Sequence, residues 1–327
     1  MTKVRWGVLS TANIGMTKVT PAIQQAENCE VVAIASRSEE RAQGAAKQLG
    51  IPGFYGSYEA LLEADEVDAV YIPLPNNLHH EWTIKAAAAG KHVLCEKPIG
   101  LSAAEGEEMA AACDEAGVKL EEAFMYRHHP TWVEAVRLVG SGAIGELQAV
   151  QSWFGYFNDD PNNIRNRVEN GGGALMDVGC YCVNLSRMLF EAEPTRIEAA
   201  VRRHPTMGID IVTSALLEFP GGRHSTFTCS TRAEDDQRVH IVGSDGRIEI
   251  EIPFNIPPDR EARIFVTQGG DPPVAPDTET VVFPAADQYT IQASLFAQAI
   301  LDDTQVPVPI DDAINNMKVI ETILATA

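Results

Sequence analysis

Residues 1–123 alternate short apolar runs with helix-forming stretches, and this alternation limits the fold more than any other feature of the chain. Val4–Ser10 is apolar with β-branched character, and Asn13–Ala26 reads as helix. Val31–Ser36 is a second strand, followed by a helix over Glu39–Leu49 that Ser38 can cap and Gly50 can stop. Phe54–Tyr55 is a brief third strand, and Ser57 caps a helix running to Ala64. Ala69–Ile72 leads into a helix over Asn77–Ala89, predicted to start at an Asn cap after two prolines and to end at Gly90. His92–Cys95 is the fifth strand. Ser102 and Glu105 then form a capping box for a helix to Ala116, with Gly117 behind it. Lys119–Ala123 is the sixth strand. Short apolar strands joined by helices imply right-handed βαβ units in a doubly wound parallel sheet. Ligands of such sheets sit at the carboxyl ends of the strands.

Beyond Phe124 the period changes. One helix, Thr131–Val139, leads to a strand near Leu147–Phe154, then to a glycine-rich turn and a helix over Ala174–Phe190. Period-2 segments follow at Ile197–Val201, Ser214–Phe219, Ser225–Ser230, Val239–Val242, Ile248–Ile252 and Ile264–Thr267. These predict a large, mainly antiparallel sheet with one wet or loosely covered face. Pro253–Asp277 reads as proline-rich loop around one strand, and Tyr289–Leu301 and Asp312–Ala325 as closing helices. The expected division is a Rossmann domain over 1–124 and an α+β domain over 125–327 for substrate binding and oligomerisation.

Charge narrows the partners. Twenty-five basic against 46 acidic residues give a net charge of −21, which opposes binding to nucleic acid or to anionic membranes. No apolar stretch is long enough for a membrane span, and no charged and apolar leader precedes the first strand, so a cytoplasmic location is expected. Cys29, Cys95, Cys113, Cys180, Cys182 and Cys229 form no CxxC pair and read as buried thiols. His79–His80 and His128–His129 are adjacent pairs without metal-ligand spacing, so no metal is expected.

Four segments carry candidate chemistry. In the first strand-to-helix turn, Ser10, Ala12 and Gly15 stand where a dinucleotide fingerprint places three glycines. Ser and Ala are small substitutes that still allow a pyrophosphate at the helix N-terminus. The bland alternative is a tight turn without a ligand. The second strand ends at Ser36 and Arg37, with no acid for a ribose diol, so these two can hold a 2′-phosphate. Arg37 as a solvated helix leader is the alternative. The fourth strand runs into Pro73-Leu74-Pro75-Asn76-Asn77-Leu78-His79, and the fifth into Glu96-Lys97-Pro98. A lysine at the carboxyl end of a buried parallel strand can polarise a carbonyl or hold an alkoxide. A cis bond before Pro98 would fix its aim, whereas pairing with Glu96 would make it an ordinary loop lysine. Finally, Asn170-Gly171-Gly172-Gly173 reads as a flexible lead into a helix bearing Asp177 and Tyr181 on one face, a proton-transfer pair or simply a surface acid beside a packed ring.

Together these segments resemble the glucose–fructose oxidoreductase/inositol dehydrogenase family over nearly the whole chain. The similarity is strongest in Val4–Gly15, Ala69–Gly100, Phe124–Pro130 and Gly171–Tyr181, and within the family it points to the branch of NADP-dependent D-xylose and dihydrodiol dehydrogenases. The resemblance implies Lys97 as the catalytic lysine, placed by Glu96 and Pro98. It implies Tyr181, where inositol-dehydrogenase-like members have His, as proton donor or acceptor, and Asp177 as holder of a substrate hydroxyl. Arg127, His129 and Arg165 would line the substrate pocket. Ser10, Thr11, Ala12, Asn13 and Ile14 would line the dinucleotide, as would Ser36, Arg37, Leu74, Asn76, His79, Glu96 and Lys97. The expected protein is an NADP-dependent enzyme, with NAD a weaker cofactor, moving a hydride to or from a cyclic sugar, polyol or trans-dihydrodiol. It would work as a homodimer or homotetramer. Alternatives are a sugar ketone or anhydroketose reductase, an inositol dehydrogenase, and an NADP-binding sensor without turnover.

Overall fold

The computed structural model describes residues 2–269 and 277–326. The chain divides into two compact units, Met1–Met125 with Tyr289–Ile314, and Tyr126–Gln288 with Asn315–Ala327.

The first unit holds six strands: β1 (Val4–Leu9), β2 (Cys29–Ala35), β3 (Gly53–Tyr55), β4 (Ala69–Ile72), β5 (His92–Cys95) and β6 (Leu120–Glu122). All pair in parallel, in the order β3-β2-β1-β4-β5-β6. The order reverses between β1 and β4, which is where an open α/β sheet binds its ligand. Most helices begin and end where local chemistry predicts. In α2 (Glu39–Leu49), α3 (Tyr58–Leu62) and α5 (Ala103–Ala116) the hydroxyls of Ser38, Ser57 and Ser102 accept the capping N–H. Gly50 and Gly117 close α2 and α5 in the left-handed conformation.

Two helices differ from expectation. The first is not uniform: Gly15–Val19 forms a wide turn with i→i+5 bonds before α1 (Thr20–Gln25). Pro21 lacks the N–H a regular helix would use there, and the wide turn accommodates it. The helix after β4 opens with a 3-10 turn, Asn76–Leu78, behind Pro75 before α4 (His79–Ala88). The backbone of Pro75, not an Asn side chain, occupies the cap position.

The domain boundary also differs. Helix α8 (Gln288–Leu301) does not close the second half; from Tyr289 onward it belongs to the first unit. Ala293, Phe296 and Ala297 are buried among Val4, Trp6, Cys29 and Ile34, with the Trp6 and Phe296 ring centroids 5.7 Å apart. A sheet packed on only one side would leave this apolar face wet, and α8 covers it.

The second unit is built on strands β7 (Leu147–Phe157), β8 (Arg196–Arg203), β9 (Asp210–Phe219), β10 (Arg223–Ser230), β11 (Arg232–Gly243), β12 (Gly246–Ile250), β13 (Ala262–Gln268) and β14 (Asp277–Phe283). Their order is β14-β13-β12-β11-β7-β10-β9-β8, antiparallel except for the central β7–β10 pair. α7 (Cys180–Phe190) is almost entirely buried against one face, while α6 (Pro130–Gly140) packs by β13. The other face is open and carries a shallow groove of about 480 Å³ lined by Gln151, Glu198, Ala200, Ser214, Thr226 and Thr228. Of the proline-rich stretch Pro253–Asp277, residues 270–276 lie outside the described ones; among the rest β13 is a strand and β14 begins at Asp277. β14 was not legible: it is an edge strand with most residues exposed, so it has no buried face to impose alternation. The last helix is α9 (Ile310–Ala325), and no helix among the described residues is long and apolar enough to cross a membrane.

Candidate active site

In the first unit the carboxyl ends of β1, β2, β4 and β5 carry the candidate cofactor residues. Ser10 has φ +142°, a region that suits glycine. Holding serine there costs about 1–3 kcal/mol. Its hydroxyl offsets this by donating to the Pro73 carbonyl at 3.3 Å and accepting from Ala12 N–H at 3.2 Å. A Cβ on Gly15 would sit 3.3 Å from Pro73 Cγ, so the helix start lies close against the end of β4. The turn thus keeps the geometry of the glycine fingerprint while spelling it differently, and Thr11, Asn13 and Ile14 occupy the helix start that would meet a pyrophosphate. At the end of β2, Ser36 is buried and Arg37 exposed, with the Tyr58 phenol beside the guanidinium. A cation and a hydroxyl without an acid fit a phosphate monoester better than a diol.

The β4 and β5 turns are tied together by His79. Its fully buried ring places Nδ1 2.8 Å from the Pro98 carbonyl and Nε2 2.9 Å from the Leu74 carbonyl. The ring is an internal brace behind Leu74 rather than an open lining residue. Burial lowers its pKa to about 4 against the pull of the two carbonyls, so the neutral ring donates to one of them and only approaches the other. The unfolded chain therefore takes up a proton near pH 6.5 that the folded chain refuses until about pH 4. Stability from this site is complete above pH 6.5 and is lost as pH falls toward 4, by up to about 3 kcal/mol. Urea midpoints measured from pH 7 to pH 4.5 are expected to fall steadily, and less so in His79→Gln; a flat profile in that range would contradict the buried neutral ring.

Lys97 follows β5 directly and is half-buried. The Lys97–Pro98 peptide is cis. The residues beside it are held from both directions. Tyr71 donates to Glu96 Oε1 at 2.6 Å, and Ile99 N–H donates to buried Glu122 Oε1 at 2.7 Å. Glu122 was not singled out in the sequence, because nothing local distinguishes it from Glu121.

In the second unit the glycine run is not flexible. Gly172 N–H donates to the Arg167 carbonyl and Gly173 N–H to the Arg165 carbonyl, both at 2.9 Å. A Cβ on Gly172 would lie 2.5 Å from the Arg165 carbonyl oxygen, and one on Gly173 2.1 Å from Asp210 Oδ1. Asp210, buried at the start of β9, accepts from Leu175 N–H and from Thr213 Oγ1, each at 2.8 Å. It caps from a distant strand the helix whose own N-terminus offers no side-chain cap. Burial raises the Asp210 pKa. Leu175–Gly179 then forms a second wide turn, in which Cys180 N–H reaches the Leu175 carbonyl. Such turns are frequent at functional sites. A Cβ on Gly179 would lie 2.7 Å from Cys229 Sγ, so glycine lets the turn approach β10.

Asp177 sits in this wide turn. Its Oδ1 accepts from Arg165 Nε at 3.0 Å and its Oδ2 from the Tyr156 hydroxyl. Burial and this carboxylate push the Tyr156 phenol up. Tyr156 escaped the sequence reading because the strand was ended at Phe154; the alternation of β7 continued two residues would have placed 154 and 156 on one face. Tyr181 is buried, its ring centroid 5.3 Å from Phe254, 5.5 Å from Phe154 and 5.8 Å from Tyr126. Arg127 is half-buried, its guanidinium 3.5 Å from Asn184 Oδ1, which also accepts from Tyr126 at 2.6 Å. His129 has a structural bond of its own. Its ring is fully buried, and Nδ1 accepts from Thr131 N–H to cap α6.

The six cysteines are free and buried, with Cys29 pushed up to about 11 and Cys113 and Cys182 to about 12 by burial. Among the described residues no group of three His, Cys, Asp or Glu could hold a metal ion.

Comparison with known proteins agrees with this architecture. Residues 4–124 match the oxidoreductase family with an NAD-binding Rossmann fold, and residues 132–249 match the GFO/IDH/MocA C-terminal domain. The chain is 40% identical over 323 residues to D-xylose 1-dehydrogenase (NADP(+)) 2 of Haloferax volcanii, covering 98% of this chain and 97% of the relative. It is 38% identical over 254 residues to trans-1,2-dihydrobenzene-1,2-diol dehydrogenase of Mus musculus, covering 76% and 74%. A solved 3-ketoreductase from Actinomadura kijaniata, in complex with NADP and TDP-benzene, superposes with a TM-score of 0.91 at 30% identity, covering 100% of this chain and 98% of that one. With both of its halves matched and full-length relatives at this identity, the chain belongs to the Gfo/Idh/MocA family of oxidoreductases.

Proposed function

We propose that this protein is an NADP-dependent oxidoreductase that moves a hydride between the nicotinamide and a cyclic sugar or polyol, in the manner of an aldose 1-dehydrogenase. The observation that supports it most is Lys97, set just past the carboxyl end of β5 between Glu96 and Ile99, each held by a buried partner. The names of the relatives add the cofactor and the substrate class.

When bound, NADP supplies or accepts hydride at its nicotinamide C4. The chain does the rest. The turn Ser10–Ile14 takes the pyrophosphate on helix N–H groups, while Leu74 and Asn76 flank the dinucleotide. Ser36 and Arg37 hold the 2′-phosphate. The Lys97 ammonium stabilises negative charge growing on the substrate oxygen. Tyr181 or Lys97 takes or returns the hydroxyl proton, and Asp177 fixes an adjacent hydroxyl so that the reacting carbon is correctly presented. Arg127 and Arg165 lie on the substrate side.

The test is reduction of NADP+ by a panel of aldoses, polyols and a trans-dihydrodiol, run also in reverse with the corresponding carbonyls. Turnover with an aldose supports the dehydrogenase; turnover only toward the alcohol makes the protein a ketone reductase. Binding of NADP without turnover in either direction would leave the sensor. Cofactor choice has its own expected outcome. Losing the charge-assisted hydrogen bonds of Arg37 in Arg37→Ala should shrink the NADP/NAD ratio of kcat/KM by about 10–100-fold. An unchanged ratio would assign the 2′-phosphate elsewhere.

A further inference from the structure

The Asp177 carboxylate is held by two donors from different parts of the chain. Tyr156, near the end of β7, gives its hydroxyl to Oδ2, and Arg165, in the 158–170 loop, gives Nε to Oδ1. An aspartate with one donor can still swing about its last torsion. With one donor on each oxygen, its plane is set.

The two donors are not equivalent. The Arg165 side chain is 43% exposed, so water and salt weaken its pull. The Tyr156 bond is part-buried, and burial beside the carboxylate keeps the phenol protonated. A neutral donor in that setting also adds no charge to compete with a sugar. The strand itself is firm, since β7 lies at the centre of the sheet between β11 and β10. We propose that Tyr156 is a positioning residue that sets sugar affinity by fixing the plane of the Asp177 carboxylate. This rests on the reading that Asp177 grips a substrate hydroxyl.

Tyr156→Phe removes one oxygen and keeps the ring. With the sugar that the wild type turns over best, KM is expected to rise about tenfold, the loss of one hydrogen bond to a charged group. kcat should stay within about twofold, because the bond serves substrate and transition state alike. NADP affinity, followed by fluorescence quenching, should not change. An unchanged KM would overturn the proposal, as would a fall in kcat together with a lower Tm and weaker NADP binding, which would mark Tyr156 as merely structural. Should Tyr156→Phe fail to fold, Tyr156→Gln, which keeps a neutral donor, and Tyr156→Leu, which does not, test the same bond: a KM raised in the Leu variant and partly restored in the Gln variant supports it, and equal KM values in the two overturn it. Asp177→Asn separates the two layers. If that change leaves KM untouched, the assignment of Asp177 itself is wrong; if it raises KM while Tyr156→Phe does not, only the role of Tyr156 falls.

Discussion

Lys97→Met is expected to lower the rate of hydride transfer by about 10³-fold or more while NADP still binds. The magnitude follows from what the ammonium does. Removing one preorganised electrostatic partner costs about 10²–10³ in kcat, and disturbing proton transfer adds a further factor of about 10²–10⁴ when both roles fall on one group. Methionine keeps the unbranched stem, so packing of the half-buried chain is little changed. The residues beside Lys97 are held by the Tyr71–Glu96 bond and by the bond from Ile99 N–H to Glu122. The measurement is single-turnover reduction of NADP+ with saturating sugar, alongside cofactor binding. A variant as fast as the wild type would remove Lys97 from the chemistry. Loss of NADP binding and rate together would make it a cofactor anchor instead.

Gly173→Ala is expected to destabilise the second unit strongly, by about 3–5 kcal/mol, combining backbone strain with overpacking. The residue has φ +132°, which an L side chain rarely adopts. Its new methyl would lie 2.1 Å from Asp210 Oδ1. Asp210 cannot step aside freely, because its other oxygen holds Leu175 N–H and Thr213 Oγ1. Displacing it would leave a buried carboxylate and a helix N–H without their partners. Gly50→Ala is the control. It shares the positive φ, at +67°, but nothing lies within 4 Å of its added methyl, so only about 1 kcal/mol is expected. Urea denaturation of both variants checks the contrast. A loss below about 1 kcal/mol for Gly173→Ala would mean that Asp210 is not pinned.

The parts of the molecule legible in the sequence are those whose causes are local. Ser38, Ser57 and Ser102 cap helices through bonds three residues long, and Gly50 and Gly117 end them by their own conformational freedom. Lys97 was legible because it directly follows a buried strand. What escaped depended on partners far away in the chain. Asp210 acts on Leu175 across 35 residues, and Glu122 on Ile99 across 23. Neither spacing leaves a periodic trace. His129 entered the site only through the family resemblance, and what its own sequence context did not show is that its ring caps the next helix. The glycine run suggested mobility, whereas close carbonyl oxygens explain it better. Ser10 shows the reverse: the missing fingerprint glycine hid a backbone that still takes the glycine conformation.

The assignment of Tyr289–Ile314 to the unit that contains β1 has a consequence for biosynthesis. A ribosome delivers the six parallel strands early, but the side of that sheet bearing Trp6 waits for Phe296. For most of translation, therefore, an apolar surface stays uncovered, the kind of surface that makes a partly made chain prone to association. Evolution cannot readily detach or shuffle the dinucleotide half as one continuous cassette, since its final piece is encoded downstream of its neighbour.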